Sequence, residues 1–323
     1  MMARSERRAG RQWWGWLAMA VAGLAAVLWL GAGGPRVAAG PVRRPKILGI
    51  AYVHMRLESA ASAQRIFHQY FGFDRAFTLA GAAGPVIYYK VNDYQYLEIT
   101  PHWDGGAQKR FMTLAFRTND ARGLRAYLAA RGFAPSAVHR RADGNLGFAL
   151  RDPEGHHIAF EQFLPDSRTG RLRGKLLSPR RLSQWIIHAG FVVASVRQED
   201  RLFRQALGFH RMWHGGMTAG VLDWVDRRTT NGPDWIEYML RDGAHPSIRT
   251  RAIANHFSLG ILHMHQAYRA LLARGWKGQG KPQIGRDGKW QLNVYTLAGS
   301  RVEMMGPKPV RKPCCSPMLP GGW

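Results

Sequence analysis

The chain has little cysteine: two residues in 323, the adjacent pair Cys314 and Cys315 near the C-terminus. Two cysteines are too few for a zinc–thiolate site, and one local pair cannot cross-link a fold of this length. In an oxidising compartment they could pair with each other or with a second chain. The Pro- and Gly-containing segment that carries them, residues 309–323, is predicted to be a C-terminal tail.

Acidic residues are also scarce, because 21 Asp and Glu stand against 46 Lys and Arg, which gives a formal net charge of +25. Such a charge favours nucleic acid, anionic membrane surfaces or acidic ligands as partners. The basic residues are mostly scattered arginines, and helix-turn-helix, zinc-finger and RNP patterns are missing. We therefore predict an arginine-rich surface and no nucleic-acid partner.

One long apolar run is present, from Trp13 to Leu30, and a basic segment precedes it. Small residues suited to cleavage follow at 37–39. Residues 1–39 are therefore predicted to be a signal peptide cleaved before Gly40. The run is about long enough to span a bilayer, so a membrane anchor is the competing interpretation. In both cases the globular part is predicted to be exported, to the periplasm or the extracellular space.

The rest of the chain has the composition of a globular protein, with 46% hydrophobic residues and 12 tryptophans over the whole sequence. Its length indicates about two domains. Four segments repeat one plan of a strand, a helix and three strands, and a repeat of this length is a strong indicator of architecture. Residues 47–165 hold the first two units and 186–308 the last two. Residues 40–46 and 166–185 are predicted to be linkers.

The third and fourth units each carry a histidine and a carboxylate at matching places. His188 lies in the strand that opens the third unit, and Glu237 lies in that unit's last strand. His256 and Glu303 take the corresponding places in the fourth unit, at nearly the same spacing. One imidazole and one carboxylate from each of two equivalent units is a pattern typical of a metal site.

This plan resembles the vicinal oxygen chelate superfamily, which includes glyoxalases, bleomycin-resistance proteins and extradiol dioxygenases. The resemblance covers roughly residues 47–165 and 186–308. It is carried by the sequences FGF at 71–73, LGF at 207–209, DPEGHHIAFEQF at 152–163, NHFSLGI at 255–261 and GSRVEMM at 299–305. It implies an α+β fold of four βαβββ units, which pair into two domains with curved mixed sheets.

The resemblance also implies a divalent metal ion held by the first and last strands of two units. Carried over residue by residue, the second domain supplies His188, Glu237, His256 and Glu303. The identity of the metal, whether iron, manganese, nickel or zinc, is left open.

The corresponding residues of the first domain are Tyr52, Glu98, Thr113 and Ala159. Tyrosine and threonine are poor substitutes for imidazole, and alanine offers no donor atom. The first domain is therefore predicted to be metal-free. Glu161, two residues beyond Ala159, would need a shift of register to replace the missing ligand.

Three functions are compatible with the predicted fold and metal site. A glyoxalase-like lyase or isomerase would use four ligands, with Glu237 and Glu303 as catalytic carboxylates that move protons next to a carbonyl. A ring-cleaving dioxygenase would use three ligands, with Glu237 turned away. A non-catalytic binding protein would hold a small molecule without metal. We expect an enzyme of the first type, acting on a small molecule that chelates the metal through vicinal oxygens, as a monomer or homodimer.

Several other residues are assigned lesser roles. Tyr295 is predicted to pack rather than to catalyse, because the final turn is short and no histidine lies between His265 and Tyr295. Trp213, His214 and Trp224 could line the cup, but an ordinary aromatic core is expected there.

Overall fold

The computed structural model describes residues 43–82, 84–103, 110–218, 220–240, 245–297 and 299–319. The predicted signal peptide or anchor at 1–39 lies outside these ranges. Within them, no helix combines the length and the apolar character that a membrane crossing requires.

The N-terminal half forms one eight-stranded mixed sheet. Its strands are β1 (Ile47–Arg56), β2 (Asp74–Gly81), β3 (Gly84–Asn92), β4 (Gln95–Thr100), β5 (Phe111–Thr118), β6 (His139–Arg140), β7 (Leu146–Arg151) and β8 (His157–Gln162). They lie in the order β2-β3-β4-β1-β5-β8-β7-β6. The first strand of each unit runs parallel to the last strand of the same unit, and the two units join through the antiparallel pair β1 and β5.

The C-terminal half repeats this arrangement in a second eight-stranded sheet. Its strands are β9 (Ile186–Val192), β10 (His210–Gly215), β11 (Trp224–Arg228), β12 (Trp235–Met239), β13 (His256–Gly260), β14 (Gln283–Ile284), β15 (Trp290–Tyr295) and β16 (Arg301–Met305). Their order, β10-β11-β12-β9-β13-β16-β15-β14, matches that of the first sheet strand for strand. The predicted α+β fold of four βαβββ units in two curved mixed sheets is confirmed.

Short helices follow the first strand of each unit or connect the units. They are α1 (Ala60–Ala63), α2 (Ala121–Ala129), α3 (Arg168–Arg171), α4 (Val196–Asp200), α5 (Ile248–Ala254) and α6 (Met264–Ala273). Both α1 and α4 continue as π-helical segments, at Gln64–Tyr70 and Arg201–Ala206. Ser59 and Ser195 start the two helices, since each side-chain oxygen accepts a backbone N–H three residues later.

The two faces of each sheet have different surroundings because side chains alternate along a strand. One face packs against a continuous apolar core shared by both halves, where Phe116 contacts Phe209 with ring centroids 5.3 Å apart. The other face is the concave inside of the sheet, which we call cup 1 in the first domain and cup 2 in the second. Tyr52 faces cup 1, and Trp235 faces cup 2.

Polar contacts also join the halves. The Glu154 carboxylate accepts hydrogen bonds from the backbone N–H groups of Ala194 and Ser195 at 2.7–2.8 Å and pairs with Arg251 at 3.0 Å. The predicted linker 166–185 contains α3 and packs on the first domain, because the buried Lys90 ammonium donates to the carbonyls of Leu172 and Lys175. The connection between the domains is therefore an ordered part of the structure.

Candidate metal centre

Four adjacent strands in the middle of the second sheet carry the predicted site. His188 lies on β9, Glu237 on β12, His256 at the start of β13 and Glu303 on β16. The two histidines are completely buried, and the two carboxylates are nearly so. The sheet thus brings all four predicted residues to the floor of cup 2.

Their donor atoms lie close together. His188 Nε2 is 3.2 Å from His256 Nε2 and 3.1 Å from Glu303 Oε2, and His256 Nε2 is 3.4 Å from the same oxygen. Glu237 Oε2 lies 3.8 Å from His256 Nε2. Glu237 and both histidines offer donor atoms within 4.8 Å of one another.

These separations fit the coordination shell of a divalent ion. Donors about 2.0–2.2 Å from an ion, at tetrahedral or octahedral angles, lie about 3.0–3.5 Å from each other. The His188, His256 and Glu303 donors meet this condition. Glu303 Oε2 is buried and faces the Nε2 atoms of the two imidazoles, so it points at the centre.

The His256 ring is held in one orientation and one tautomer. Its Nδ1 lies 3.0 Å from the carbonyl oxygen of Ala254, so Nδ1 carries the hydrogen and donates it. Nε2 therefore presents a lone pair to the centre. Gly190 makes room for the ring, because a Cβ at that position would clash with its Cε1 and Nδ1 atoms.

The His188 ring is held by stacking, and its Nδ1 makes no hydrogen bond. Its ring lies over the indole of Trp235 with centroids 5.1 Å apart and an interplanar angle of 24°. The Lys289 ammonium lies 4.1 Å from the same indole. Burial lowers the pKa of His188 despite the pairing with Glu303, and Lys289 acts in the same direction as burial. The imidazole is therefore neutral, which is the form that binds metals.

His256 is neutral as well. Burial lowers its pKa to about 4, and the positive charge of Arg301 contributes to the shift. In both histidines burial thus favours the neutral form, which offers a lone pair.

The two carboxylates differ in pKa. Burial raises the pKa of Glu237 well above its usual range, and the neighbouring Asp226 and Glu303 raise it further. Burial alone would also raise the pKa of Glu303, but Arg301 and the two imidazoles hold it well below the usual range. The pKa of Glu237 therefore lies above that of Glu303.

Arg301 is a charged side chain of the centre that the spacing of histidines and carboxylates did not predict. Its Nη2 lies 2.9 Å from His256 Nε2 and 3.6 Å from Glu303 Oε1. A metal ion can therefore bind His256 only if the Arg301 guanidinium moves away from Nε2.

A cavity of about 540 Å³ opens above the centre. Its floor includes Glu237, Glu303 and Arg301, and its walls include Trp213 and Trp224. This volume lies within the usual range for small-molecule sites. Polar groups at the floor and aromatic groups at the wall are typical of such sites.

Other predicted residues lie elsewhere. Tyr295, the last residue of β15, is 54% exposed, so the prediction that it packs is wrong. His214 is exposed and does not line the cavity of cup 2. Glu161 is buried in cup 1, where its carboxylate accepts a hydrogen bond from Asn145 at 2.6 Å.

Strand register supports the equivalence of the two cups. Tyr52 pairs with Tyr96 as His188 pairs with Trp235. Ala159 pairs with Ala149 in the same way as Glu303 pairs with Asn293. The residues carried over to the first domain therefore occupy the structural positions of the second domain's four donors.

In cup 1 a guanidinium occupies the centre. Arg141 Nη2 lies 2.6 Å from Glu98 Oε1, and Arg141 Nε lies 3.2 Å from Glu161 Oε2 and 3.5 Å from Asp143 Oδ2. Arg141 also donates to the hydroxyl of Tyr52. The three carboxylates are grouped closely enough to hold a metal ion, but Arg141 already supplies them with a cation.

Two residues beside the centre of cup 2 were missed by the sequence analysis. Asp226 pairs in register with Glu237 on the neighbouring strand, and burial raises its pKa to about 8. Lys289 is fully buried below Trp235. Asp226 has no sequence signal, since only the pairing of β11 with β12 brings it close. Arg301 had one: it precedes Glu303 by two residues and so shares its face.

Comparison with known proteins identifies the architecture. No family model matches the chain, and no curated protein matches its sequence. Among solved structures, homoprotocatechuate 2,3-dioxygenase from Brevibacterium fuscum, in complex with 3,4-dihydroxyphenylacetate, is similar with a TM-score of 0.58 and 16% identity over 82% of each chain. A catechol 2,3-dioxygenase is similar with a TM-score of 0.60 and 16% identity over 85% of this chain and 94% of the other.

At 16% identity these likenesses establish the fold and not the reaction. Both neighbours are extradiol dioxygenases, a branch of the superfamily that the sequence motifs resemble. The chain therefore shares the two-domain fold of these dioxygenases.

Proposed function

We propose that cup 2 binds a divalent metal ion through His188, His256, Glu303 and Glu237, and that the protein is an enzyme acting on a small molecule with two vicinal oxygens. The convergence of four donors from four strands carries the proposal. A buried cluster of two imidazoles and two carboxylates contributes nothing to packing that apolar residues would not supply better. A bound divalent ion would act as a Lewis acid on both ligand oxygens.

The position of Glu237 favours a proton-transfer reaction of the lyase or isomerase class. Its carboxyl lies at the cavity floor beside the other donors rather than turned away. The features that raise its pKa make its carboxylate a stronger base than an exposed glutamate. In this reaction Glu237 accepts a proton from a carbon next to a carbonyl and returns it to a neighbouring atom.

The first test is metal content. Purified wild-type protein, loaded with Mn²⁺ or Zn²⁺ and dialysed, is expected to retain one ion per chain by elemental analysis. Glu303→Gln is expected to lose most of it, since the side chain no longer offers a charged oxygen ligand to the ion. Glu98→Gln changes a buried carboxylate of cup 1, at the position that corresponds to Glu237, and as the control it is expected to retain the ion. Retention by Glu303→Gln would overturn the ligand assignment.

A ring-cleaving dioxygenase is the second candidate, and the neighbours favour it. The two similar structures are ring-cleaving dioxygenases, and this chain shares their two-domain layout. A catechol would present two vicinal oxygens to the centre. The wall residues Trp213 and Trp224 suit an aromatic ring.

Two assays on the loaded protein separate the candidates. Oxygen uptake with catechols, measured after loading with Fe²⁺ or Mn²⁺, would establish ring cleavage. Exchange of deuterium from solvent into a 2-hydroxy ketone, followed by NMR, would establish proton transfer. We expect exchange without oxygen uptake, and Glu237→Gln is expected to abolish exchange while most of the metal stays bound. Oxygen uptake that survives in Glu237→Gln would favour the dioxygenase.

We also propose, from the sequence alone, that the protein is exported. N-terminal sequencing of protein from the source cells is expected to find a chain that begins near Gly40. An intact Met1 on a chain recovered from the soluble cytoplasmic fraction would contradict export.

A further inference from the structure

Arg301 and a metal ion compete for the same atom. His256 Nδ1 donates to Ala254, so the ring has one lone pair, on Nε2. Arg301 Nη2 lies 2.9 Å from this nitrogen and uses that lone pair as its acceptor. A metal ion on His256 needs the same lone pair. The two cations therefore cannot be bound to His256 at once.

The side chain of Arg301 has room to move and little to hold it in place. It is 20% exposed and lines the cavity. Its Nε is buried and has no hydrogen-bond partner, and its nearest carboxylate contact, with Glu303 Oε1, is 3.6 Å long. A guanidinium released from His256 would remain at the cavity floor, where a ligand would lie.

The equivalent positions of the first domain are also in contact. His157, which begins β8 as Arg301 begins β16, lies with Nδ1 2.8 Å from the Thr113 hydroxyl. Thr113 stands in the place of His256. Contact between these two positions is therefore common to both cups. In cup 2 the two residues are a cation, Arg301, and a potential metal ligand, His256.

We propose that Arg301 is an exchangeable internal cation: it occupies the His256 lone pair while the centre lacks metal, and it binds an anionic oxygen of the ligand once metal is present. This inference rests on the proposed function and deepens it, since it assigns the ligand a carboxylate or another anionic oxygen beside the two vicinal oxygens. Arginine is suited to this role because its planar donors match the geometry of a carboxylate.

Two affinities are expected to change in opposite directions in Arg301→Gln. Binding of Mn²⁺, followed by calorimetry, is expected to strengthen about tenfold, because a competing and repelling charge is gone. Binding of oxalate to the Mn²⁺-loaded protein is expected to weaken about tenfold, because the anion loses its charged donor. A role in folding alone would move both affinities in the same direction.

Two variants serve as controls, and circular dichroism checks the fold of each. Arg301→Lys keeps the charge and is expected to restore Mn²⁺ affinity to near the wild-type value, with partial recovery of oxalate binding. Arg269→Gln removes an exposed arginine of α6 and is expected to change neither affinity.

The outcomes distinguish this inference from the proposed function. Wild-type protein that binds no Mn²⁺ would overturn both. Wild-type protein that binds Mn²⁺, with an Arg301→Gln variant of equal Mn²⁺ affinity, would overturn the exchange and leave the metal centre standing. Oxalate affinity that is unchanged in Arg301→Gln would overturn the assignment of an anionic ligand.

Discussion

Gly190 allows an imidazole to lie against the backbone of β9. A methyl group at this position would clash with the His256 ring. Gly190→Ala is therefore expected to displace the ring, lower Mn²⁺ affinity about 100-fold and destabilise the fold by about 2 kcal/mol. Titration calorimetry and thermal unfolding measure the two effects. Gly306→Ala is the control, since a methyl group there makes only ordinary contacts.

Arg141 neutralises the carboxylates of cup 1. Removing one partner of a buried ion pair costs about 3–5 kcal/mol, because the remaining charges lose their compensation. Arg141→Met is therefore expected to lower the free energy of unfolding by about 3 kcal/mol. Its neighbour Arg140 forms an exposed pair with Asp166, so Arg140→Met is expected to change stability by less than about 1 kcal/mol. Equal effects in denaturant titrations would show that the cup 1 pairs are unimportant for stability.

At the scale of residues, the sequence predicted those site residues that lie at equivalent positions of the repeat. His188, Glu237, His256 and Glu303 could be grouped because two units placed equivalent residues in equivalent strands. Arg141 could not be assigned to cup 1, because it lies just beyond the short strand β6 and reaches the centre through a long side chain. Contacts between side chains across a sheet depend on strand register and on rotamers, and neither can be predicted from a single sequence.

At the scale of elements, the C-terminal tail forms part of the second domain's edge. Trp213 Nε1 donates to the Cys314 carbonyl at 3.1 Å, and the Leu319 N–H donates to Met212 at 2.9 Å. The Arg286 guanidinium contacts Cys314 Sγ at 2.8 Å, and Cys314 and Cys315 are joined by a disulfide. The sequence predicted a tail, but its docking rests largely on backbone groups, which have no sequence signature.

Replacing both cysteines by serine is expected to leave metal content unchanged. The disulfide joins neighbouring residues, so it restricts the unfolded chain little, and a fall in Tm of no more than about 3 °C is expected. Elemental analysis and differential scanning calorimetry measure the two quantities. Loss of metal in this double variant would show that the tail shapes cup 2.

At the scale of the whole molecule, Asp234 ties the domains together. Its carboxylate accepts the backbone N–H of Ile50 at 2.7 Å and lies 3.3 Å from the amide nitrogen of Gln95. Gly49, with φ of +114°, lets the chain approach this closely, because a Cβ there would clash with the carboxylate. Burial raises the pKa of Asp234 to about 7.

A raised carboxyl pKa makes stability depend on pH. Because the folded pKa of about 7 lies above the unfolded value of 3.8, the contribution of Asp234 is complete below pH 3.8 and is lost as the pH rises through 7. Tm is therefore expected to fall as the pH rises from about 4 to about 7. Asp234→Asn should flatten this fall, by an amount equivalent to about 2 kcal/mol. A variant with the same pH profile as wild type would assign the dependence to other buried carboxyls.

The built-in cation of cup 1 has a consequence for how the protein depends on its surroundings. Arg141 is part of the polypeptide, so every folded molecule contains this cation. Under the proposed function, the cation of cup 2 is taken from the medium. A shortage of metal would then leave cup 2 without its ion and without activity, while cup 1 would keep its structure. The two domains would therefore differ in one respect: cup 2 would depend on the supply of metal, and cup 1 would not.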